Sequence, residues 1–193
     1  HVRSGVLIPR PETEELVEWA VQEVPQHSRV LDMGCGSGCI AVTLAMERHD
    51  LQLAAMDASE IAEEVSWQNA RKFNQQISLF KDDMLHPSAF LLEQSWDAIM
   101  SNPPYVRPSE TASSILHEPE MALFTPEDDP LLFYRAIRDY GETNVRSGGM
   151  VFLELSEYCA EEIGNLFSGD GWATCTIRKD LQGKDRLLYA LRA

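Results

Sequence analysis

The chain has 193 residues, of which 44% are hydrophobic, and this length suits one well-packed α/β domain better than two. Its formal net charge of −15 comes from 31 acidic against 16 basic residues, which disfavours a nucleic-acid partner because such a surface repels a phosphate backbone. Four scattered cysteines are too few for a disulfide framework, so we expect a reduced, metal-free, cytoplasmic protein. No apolar run approaches the roughly 18 residues of a membrane span, so we expect no membrane contact.

The N-terminal segment carries prolines at positions 9 and 11, which predict an extended arm over residues 1–13. Apolar residues then recur at helical spacing from Glu14 to Val24, and Pro25 ends that pattern. We therefore expect one domain over residues 1–193 that begins with an extended arm.

A glycine-rich loop follows the first predicted strand, residues 28–33. A predicted strand, a glycine loop and a predicted helix in succession open a Rossmann-like unit, where a ligand can lie against bare backbone at a helix N-terminus. The dinucleotide fingerprint G-x-G-x-x-G would require glycine at position 39, where the chain has Cys39, so the spacing does not favour a dinucleotide. The loop residues that we expect to contact a cofactor are Gly34, Cys35, Gly36, Ser37 and Gly38.

A second predicted strand, residues 51–56, ends at Asp57, roughly 20 residues beyond the loop. An acid at this place can accept hydrogen bonds from both ribose hydroxyls, which suits an adenosine ligand without phosphates. Taken alone, Asp57 is more often a strand-end or helix-cap acid, and a lone glycine loop is weak evidence. The glycine loop and Asp57, taken together with the motif Asn102-Pro103-Pro104-Tyr105 that follows the fourth predicted strand, favour S-adenosylmethionine over NAD.

Asp83 and Met84 follow the third predicted strand, residues 77–81, at the edge where open α/β sheets bind ligands. Asp83 could accept a hydrogen bond from the adenine amino group, and the polarizable sulfur of Met84 could lie against the adenine face. A solvated acidic turn beside a core methionine explains the same residues equally well.

The motif Asn102-Pro103-Pro104-Tyr105 follows the fourth predicted strand, residues 96–100. Two prolines stiffen the turn, so that the Asn102 side-chain oxygen and the Pro103 carbonyl can accept both hydrogens of a planar NH2 group. The ring of Tyr105 can pack against the same plane. An isolated Asn-Pro-Pro is more often an ordinary turn, but the neighbouring motifs favour a site for an amide or amino nitrogen.

The remaining segments complete the fold prediction. They predict a long loop at 106–129, a helix at 130–145 that Asp129 caps and Gly148-Gly149 end, a strand at 150–155, a helix at 157–167 and a final hairpin of strands at 172–177 and 186–191. We therefore expect an α/β, Rossmann-like, seven-stranded and mostly parallel sheet with helices on both faces and a C-terminal antiparallel hairpin.

Six segments together carry a family resemblance: residues 6–14, 31–41, 101–106, 118–123, 133–137 and 179–186. The Asn-Pro-Pro-Tyr motif is shared with DNA amino-methyltransferases, whereas the opening Pro-Arg-Pro-Glu-Thr-Glu and the closing Lys-Asp-Leu-x-Gly-Lys-Asp-Arg runs are narrower. Through them the chain resembles the HemK-type protein-(glutamine-N5) methyltransferases, which modify peptide chain release factors. That family has a small helical domain before the arm to which nothing here corresponds, so we expect the catalytic domain alone.

The resemblance implies transfer of a methyl group from S-adenosylmethionine to the glutamine of a Gly-Gly-Gln loop in a release factor. We also expect a monomer, and the acidic balance of charges predicts no direct contact with nucleic acid. It implies catalytic roles for Asn102, Pro103 and Tyr105, substrate contacts from Asn102 to Tyr105 including Pro104, and cofactor contacts at Gly34 to Gly38, Asp57, Met84 and Asn102. Two positions depart from the family: Met84 stands where members often have an aromatic residue, and Gln182 where a small residue is usual.

Two alternatives remain open from the sequence. One is an amino-methyltransferase that acts on a ribosomal-protein glutamine or on an exocyclic base nitrogen. The other is a scaffold that binds the cofactor and a partner protein without turnover.

Overall fold

The structure, a computed structural model, describes residues 1–110 and 119–193, so Glu118 of the family-like segments lies outside the described part. The strands are β1 (Arg29–Met33), β2 (Gln52–Asp57), β3 (Ile77–Lys81), β4 (Trp96–Ser101), β5 (Val145–Glu154), β6 (Trp172–Lys179) and β7 (Asp185–Arg192). The helices are α1 (Pro11–Glu23), α2 (Cys39–Glu47), α3 (Glu60–Lys72), α4 (Ala89–Leu92), α5 (Glu120–Leu123), α6 (Leu132–Asn144) and α7 (Ala160–Leu166), with a 3-10 turn at Pro108–Glu110. None of these helices is long and apolar enough to cross a membrane.

The seven strands form one sheet in the order β3-β2-β1-β4-β5-β7-β6. The first five strands pair in parallel, and β7 inserts antiparallel between β5 and β6. This confirms the predicted α/β fold with a C-terminal antiparallel hairpin. The order also makes β1 the neighbour of both β2 and β4, so the loops that follow these three strands meet at one edge.

The core lies on both faces of the sheet because side chains alternate along each strand. Val30 of β1 packs on the face covered by α1 and α2, whereas Leu31 packs on the face covered by α4, α6 and α7. Both side chains are fully buried. The near-continuous apolar runs in the sequence therefore correspond to strands that helices cover on both faces of the sheet.

Helix α1 begins at Pro11, so the predicted extended arm of residues 1–13 is three residues too long. Proline is favoured in the first turn of a helix because its fixed φ is already helical and the missing N–H needs no partner there. The extended segment therefore ends at Arg10, the N-cap residue. Thr13 thereby becomes a buried residue of α1.

Helix α6 ends at Asn144, and Gly148-Gly149, predicted to end it, lie inside β5. The strand starts at Val145 and shifts register against β4 between Trp96 and Ala98. A Cβ on Gly149 would lie 2.8 Å from the carbonyl oxygen of Asp97, so the glycine permits this close approach.

Two further boundaries differ from the prediction. Asp129 does not cap α6, because its carboxylate pairs with Arg135 and the N-cap is Leu131. The last helix begins at Ala160, later than the predicted residue 157. The short helix α4, which Ser88 caps, was not predicted.

Candidate active site

The ends of β1, β2 and β4 enclose a cavity of about 240 Å³ at the carboxyl edge of the sheet. The hydroxyl of Ser101 donates to the carbonyl of Met33 at 2.6 Å and joins the ends of β4 and β1. Nine of the predicted site residues line this cavity: Gly34, Cys35, Gly36, Ser37, Asp57, Asp83, Met84, Asn102 and Pro104. The sheet order therefore brings together residues from four separate stretches of the sequence, which lie at the ends of β1, β2, β3 and β4.

A second, smaller cavity of about 110 Å³ shares three lining residues with the first: Leu7, Asn102 and Ala122. Pro103 and Tyr105 line this smaller cavity and not the larger one. Asn102 lines both cavities, so it stands at the boundary between them. Two ligands could thus meet at the Asn102 side chain.

The glycine loop turns back over β2. The backbone N–H groups of Gly34 and Cys35 both donate to the carbonyl of Met56, at 2.9 and 3.0 Å. Gly34 has a φ of 75°, and a Cβ there would lie 2.9 Å from Met84 Cε. Gly38, the N-cap of α2, has a φ of 76° and lies against Ser66 of α3, outside the cavity lining. Side chains at Gly34 and Gly38 would therefore fill or distort the loop.

Asp57 stands half-buried at the end of β2, and its carboxylate faces the loop and the cavity. It accepts hydrogen bonds from the N–H groups of Gly36 and Ser59, both at 2.9 Å. Burial raises the pKa of Asp57, and these backbone hydrogen bonds partly offset the rise. Because each carboxylate oxygen has a further acceptor site, the group fits a ligand with two adjacent hydroxyls, such as a ribose.

The Asp83 carboxylate is engaged within its own turn. It accepts from the backbone N–H of Leu85 at 2.8 Å and contacts His86 Nδ1 at 3.0 Å. Met84 is 8% exposed and lies in the cavity wall near Phe133 of α6. A flat, largely apolar group such as adenine fits this wall, and a contact between Asp83 and its amino group stays a prediction.

Asp32, the penultimate residue of β1, was not predicted as a site residue. It is 1% exposed, and Oδ2 accepts from the N–H of Ala41 at 3.2 Å, whereas Oδ1 has no hydrogen-bond partner among the described residues. Burial, with a contribution from the Asp57 charge, raises the pKa of Asp32 to about 7. The sequence signal that could have identified Asp32 as a site residue is its position just before the glycine loop.

A buried hydrogen-bond cluster supports the Asn-Pro-Pro-Tyr turn from behind. Asn102 Nδ2 donates to Thr13 Oγ1 at 3.2 Å, and Thr13 Oγ1 donates to Glu154 Oε2 at 2.7 Å. The Tyr105 hydroxyl donates to Glu154 Oε1 at 2.8 Å. Neither Thr13 nor Glu154 was predicted to act at the site, although Glu154 follows four apolar residues as the only charge of the predicted strand 150–155.

Tyr134 and Arg186 fix the backbone around Glu154. The Tyr134 hydroxyl donates to the Glu154 carbonyl and accepts from the Ser156 N–H, both at 3.2 Å. Arg186 Nη1 donates to the Leu155 carbonyl at 2.8 Å. The end of β5 is therefore held on both sides of the carboxylate.

No group of three or more His, Cys, Asp or Glu side chains that could hold a metal ion occurs within residues 1–110 and 119–193. Cys35 and Cys39 are free thiols, and burial raises the pKa of Cys39 to about 12. The polar groups of the site are thus backbone amides, carboxylates, hydroxyls and one side-chain amide.

Comparisons with known proteins agree with this arrangement. The methyltransferase small domain family matches residues 13–122. Release factor glutamine methyltransferases from Bacteroides thetaiotaomicron and Flavobacterium psychrophilum are 38% and 36% identical, over 99% and 97% of this chain and 70% and 68% of those proteins.

Two solved structures are similar in fold. A release factor-specific protein-(glutamine-N5) methyltransferase from Alicyclobacillus acidocaldarius matches with a TM-score of 0.59 and 30% identity, over 96% of this chain and 94% of that one. A methyltransferase from Pyrococcus furiosus matches with a TM-score of 0.73 at 16% identity, over 100% of this chain and 87% of that one. The second likeness concerns the fold alone.

Proposed function

Because this chain belongs to the family of release factor glutamine methyltransferases, we propose that it methylates the side-chain amide nitrogen of a glutamine in a peptide chain release factor, with S-adenosylmethionine as methyl donor. The observation that carries this proposal is the position of Asn102 on the shared wall of the two cavities. One cavity suits a nucleoside, and the other opens at a turn built to hold a planar NH2 group.

The larger cavity holds the cofactor in this proposal. The loop from Gly34 to Ser37 lies against it, Asp57 accepts from the ribose hydroxyls, and Met84 packs on the adenine. The bound cofactor supplies an activated, electrophilic methyl group. The protein therefore needs to bind, orient and desolvate, and it needs no strong base to activate the donor.

The substrate glutamine enters from the smaller cavity. An amide nitrogen is a poor nucleophile because its lone pair is delocalised into the carbonyl. Asn102 Oδ1 and the Pro103 carbonyl each accept one N–H of the substrate amide, and Tyr105 packs against its plane. Holding both hydrogens in this way favours a localised lone pair directed at the larger cavity, so catalysis rests on orientation and electrostatics.

The domain works as one unit and as a monomer in this proposal, and it acts in the cytoplasm on a protein partner. An acidic protein of net charge −15 suits a protein substrate better than a nucleic acid. The same balance of charges weighs against an exocyclic base nitrogen as the acceptor.

The test is a methyl-transfer assay with purified chain, labelled S-adenosylmethionine and a release factor that carries its Gly-Gly-Gln loop. The matched control is the same release factor with that glutamine replaced by alanine. We expect label on the wild-type factor and none on the control. Label on a ribosomal protein or on DNA in place of the release factor would overturn the assignment, as would no transfer to any of them.

A further inference from the structure

Glu154 is a carboxylate buried at 1% exposure whose two oxygens are both occupied by hydroxyl donors. Thr13 of α1 donates to Oε2, and Tyr105 of the Asn-Pro-Pro-Tyr turn donates to Oε1. These partners lie 141 and 49 residues away in the chain. The carboxylate therefore joins α1, the end of β5 and the turn after β4 at one point.

The direction of each hydrogen bond in this cluster follows from the carboxylate. An ionised carboxylate can only accept, so the single hydroxyl hydrogen of Thr13 is committed to Glu154. Thr13 Oγ1 then faces Asn102 as an acceptor, and the group of Asn102 at 3.2 Å must be the NH2. The opposite end of the Asn102 amide, Oδ1, is consequently turned away from Thr13.

Stability alone does not explain a charge at this depth. Burying a carboxylate costs several kcal/mol, and two neutral hydroxyls offset only part of that cost. Burial raises the pKa of Glu154, while Thr13, Tyr105 and the charge of Arg186 act in the opposite direction. A residue of the same shape without charge would avoid the desolvation, so the chain retains the carboxylate at a cost.

We propose that Glu154, acting through Thr13, is a positioning residue that fixes the orientation of the Asn102 amide, so that Oδ1 and not the NH2 group meets the substrate amide. This inference rests on the proposed function and extends it to the buried Glu154 and to Thr13, which itself lines the larger cavity. If the Asn102 amide were reversed, its NH2 group would face the N–H groups of the substrate amide, and two donors cannot form a hydrogen bond with each other. The same carboxylate holds Tyr105 through its hydroxyl and so fixes the ring beside that plane.

Glu154→Gln tests the proposal with almost no change in shape. The glutamine NH2 must face either Thr13 or Tyr105, and it reverses the hydroxyl that it meets or leaves it without an acceptor. We expect kcat to fall about 10-fold to 100-fold, since misorientation at a reacting group costs on that order. The KM for the release factor and the affinity for S-adenosylhomocysteine should change by less than about threefold. Glu161→Gln, on the exposed surface of α7, is the matched control and should retain wild-type kinetics.

Thr13 provides a second pair of variants that does not depend on whether Glu154→Gln folds. Thr13→Ser keeps the hydroxyl and should retain most of the wild-type kcat, whereas Thr13→Val keeps the shape and should lose kcat as Glu154→Gln does. The double variant Thr13→Val with Glu154→Gln should lose little more than either single change, because both act on one chain of hydrogen bonds.

The outcomes separate this inference from the proposed function. A wild-type chain without activity on the release factor contradicts the proposed function itself. An active wild type whose Thr13→Val or folded Glu154→Gln variant keeps full kcat overturns the positioning role only. A loss that appears in KM alone, with kcat unchanged, also overturns it, because an orientation effect must appear in turnover.

Discussion

The hydroxyl of Ser101 donates to the backbone carbonyl of Met33 at 2.6 Å, and both residues are fully buried. This bond joins the last residue of β4 to the last residue of β1, directly before the Asn-Pro-Pro-Tyr turn and the glycine loop. Two motifs separated by about 70 residues of chain therefore leave the sheet side by side. The sheet therefore holds the start of the proposed cofactor loop beside the start of the proposed acceptor turn.

Asn102→Ala should lower turnover by at least about two orders of magnitude, because it removes the acceptor that we propose orients the substrate amide. The affinity for S-adenosylhomocysteine should fall much less, since Asn102 forms only part of the wall of the larger cavity. Single-turnover methylation measures the first effect and calorimetric titration the second. Asn165→Ala, the same change at an exposed position of α7, serves as the control. Wild-type turnover in Asn102→Ala would reject the catalytic role.

Asp57→Ala should weaken S-adenosylhomocysteine binding by about tenfold to 100-fold, which corresponds to the loss of hydrogen bonds to a charged group. The expected effect has two sources: the proposed ribose contact is lost, and the N–H groups of Gly36 and Ser59 lose their acceptor. Calorimetry on the folded variant measures the change, and Glu60→Gln on the neighbouring exposed surface should leave binding unaltered. Equal affinities in Asp57→Ala and wild type would remove Asp57 from the cofactor site.

The site residues that the sequence predicted are those that lie at or just after the end of a predicted strand. Gly34, Asp57 and Asn102 each follow an apolar run, and parallel strands put their carboxyl ends at one edge of a sheet. The prediction needed only the local pattern and the rule for such sheets. The structure accordingly places all three in the lining of one cavity.

The parts that the sequence did not predict depend on packing between distant segments. Thr13 was assigned to an extended arm, and only the docking of α1 against the end of β5 brings it to Glu154. The burial of Asp32 likewise depends on how α2 covers the sheet, which no local pattern describes. The positions of Asp32 and Glu154 after apolar residues are visible in the sequence, but the contacts that these acids and Thr13 make are not.

Gly38→Ala should lower the free energy of unfolding by about 1–3 kcal/mol, the cost of forcing a residue with a side chain into a sparsely populated backbone conformation. Its φ is 76°, and the new Cβ would lie 2.8 Å from Ser66 Oγ and 3.2 Å from Ser66 Cα. Urea denaturation gives the change. Gly169→Ala is the matched control, because Gly169 lacks a positive φ and a Cβ there meets no atom within 4 Å. Similar stabilities for the two variants would contradict the assigned loop geometry.

Asp32→Asn tests the effect of the buried acid on stability as a function of pH. In the wild-type protein the folded-state pKa of Asp32 is raised from 3.8 to about 7, so between these pH values the native state binds more protons than the unfolded state. The contribution of Asp32 to the free energy of unfolding therefore falls as the pH rises from about 4 to about 7, and the loss is complete above about 7. The variant cannot ionise, and its amide oxygen can still accept from the N–H of Ala41.

We accordingly expect Asp32→Asn to gain stability relative to wild type as the pH is raised from 5 to 8, by about 3 kcal/mol, since roughly 2 of the 3 pKa units of the shift lie above pH 5. Urea denaturation at both pH values measures this difference, with the exposed Asp170→Asn as a control that should run parallel to wild type. The discriminating feature is whether the difference between variant and wild type changes with pH. A difference that stayed constant between pH 5 and pH 8 would mean that Asp32 is ionised in the native protein throughout this range, contrary to its burial without a partner for Oδ1 among the described residues.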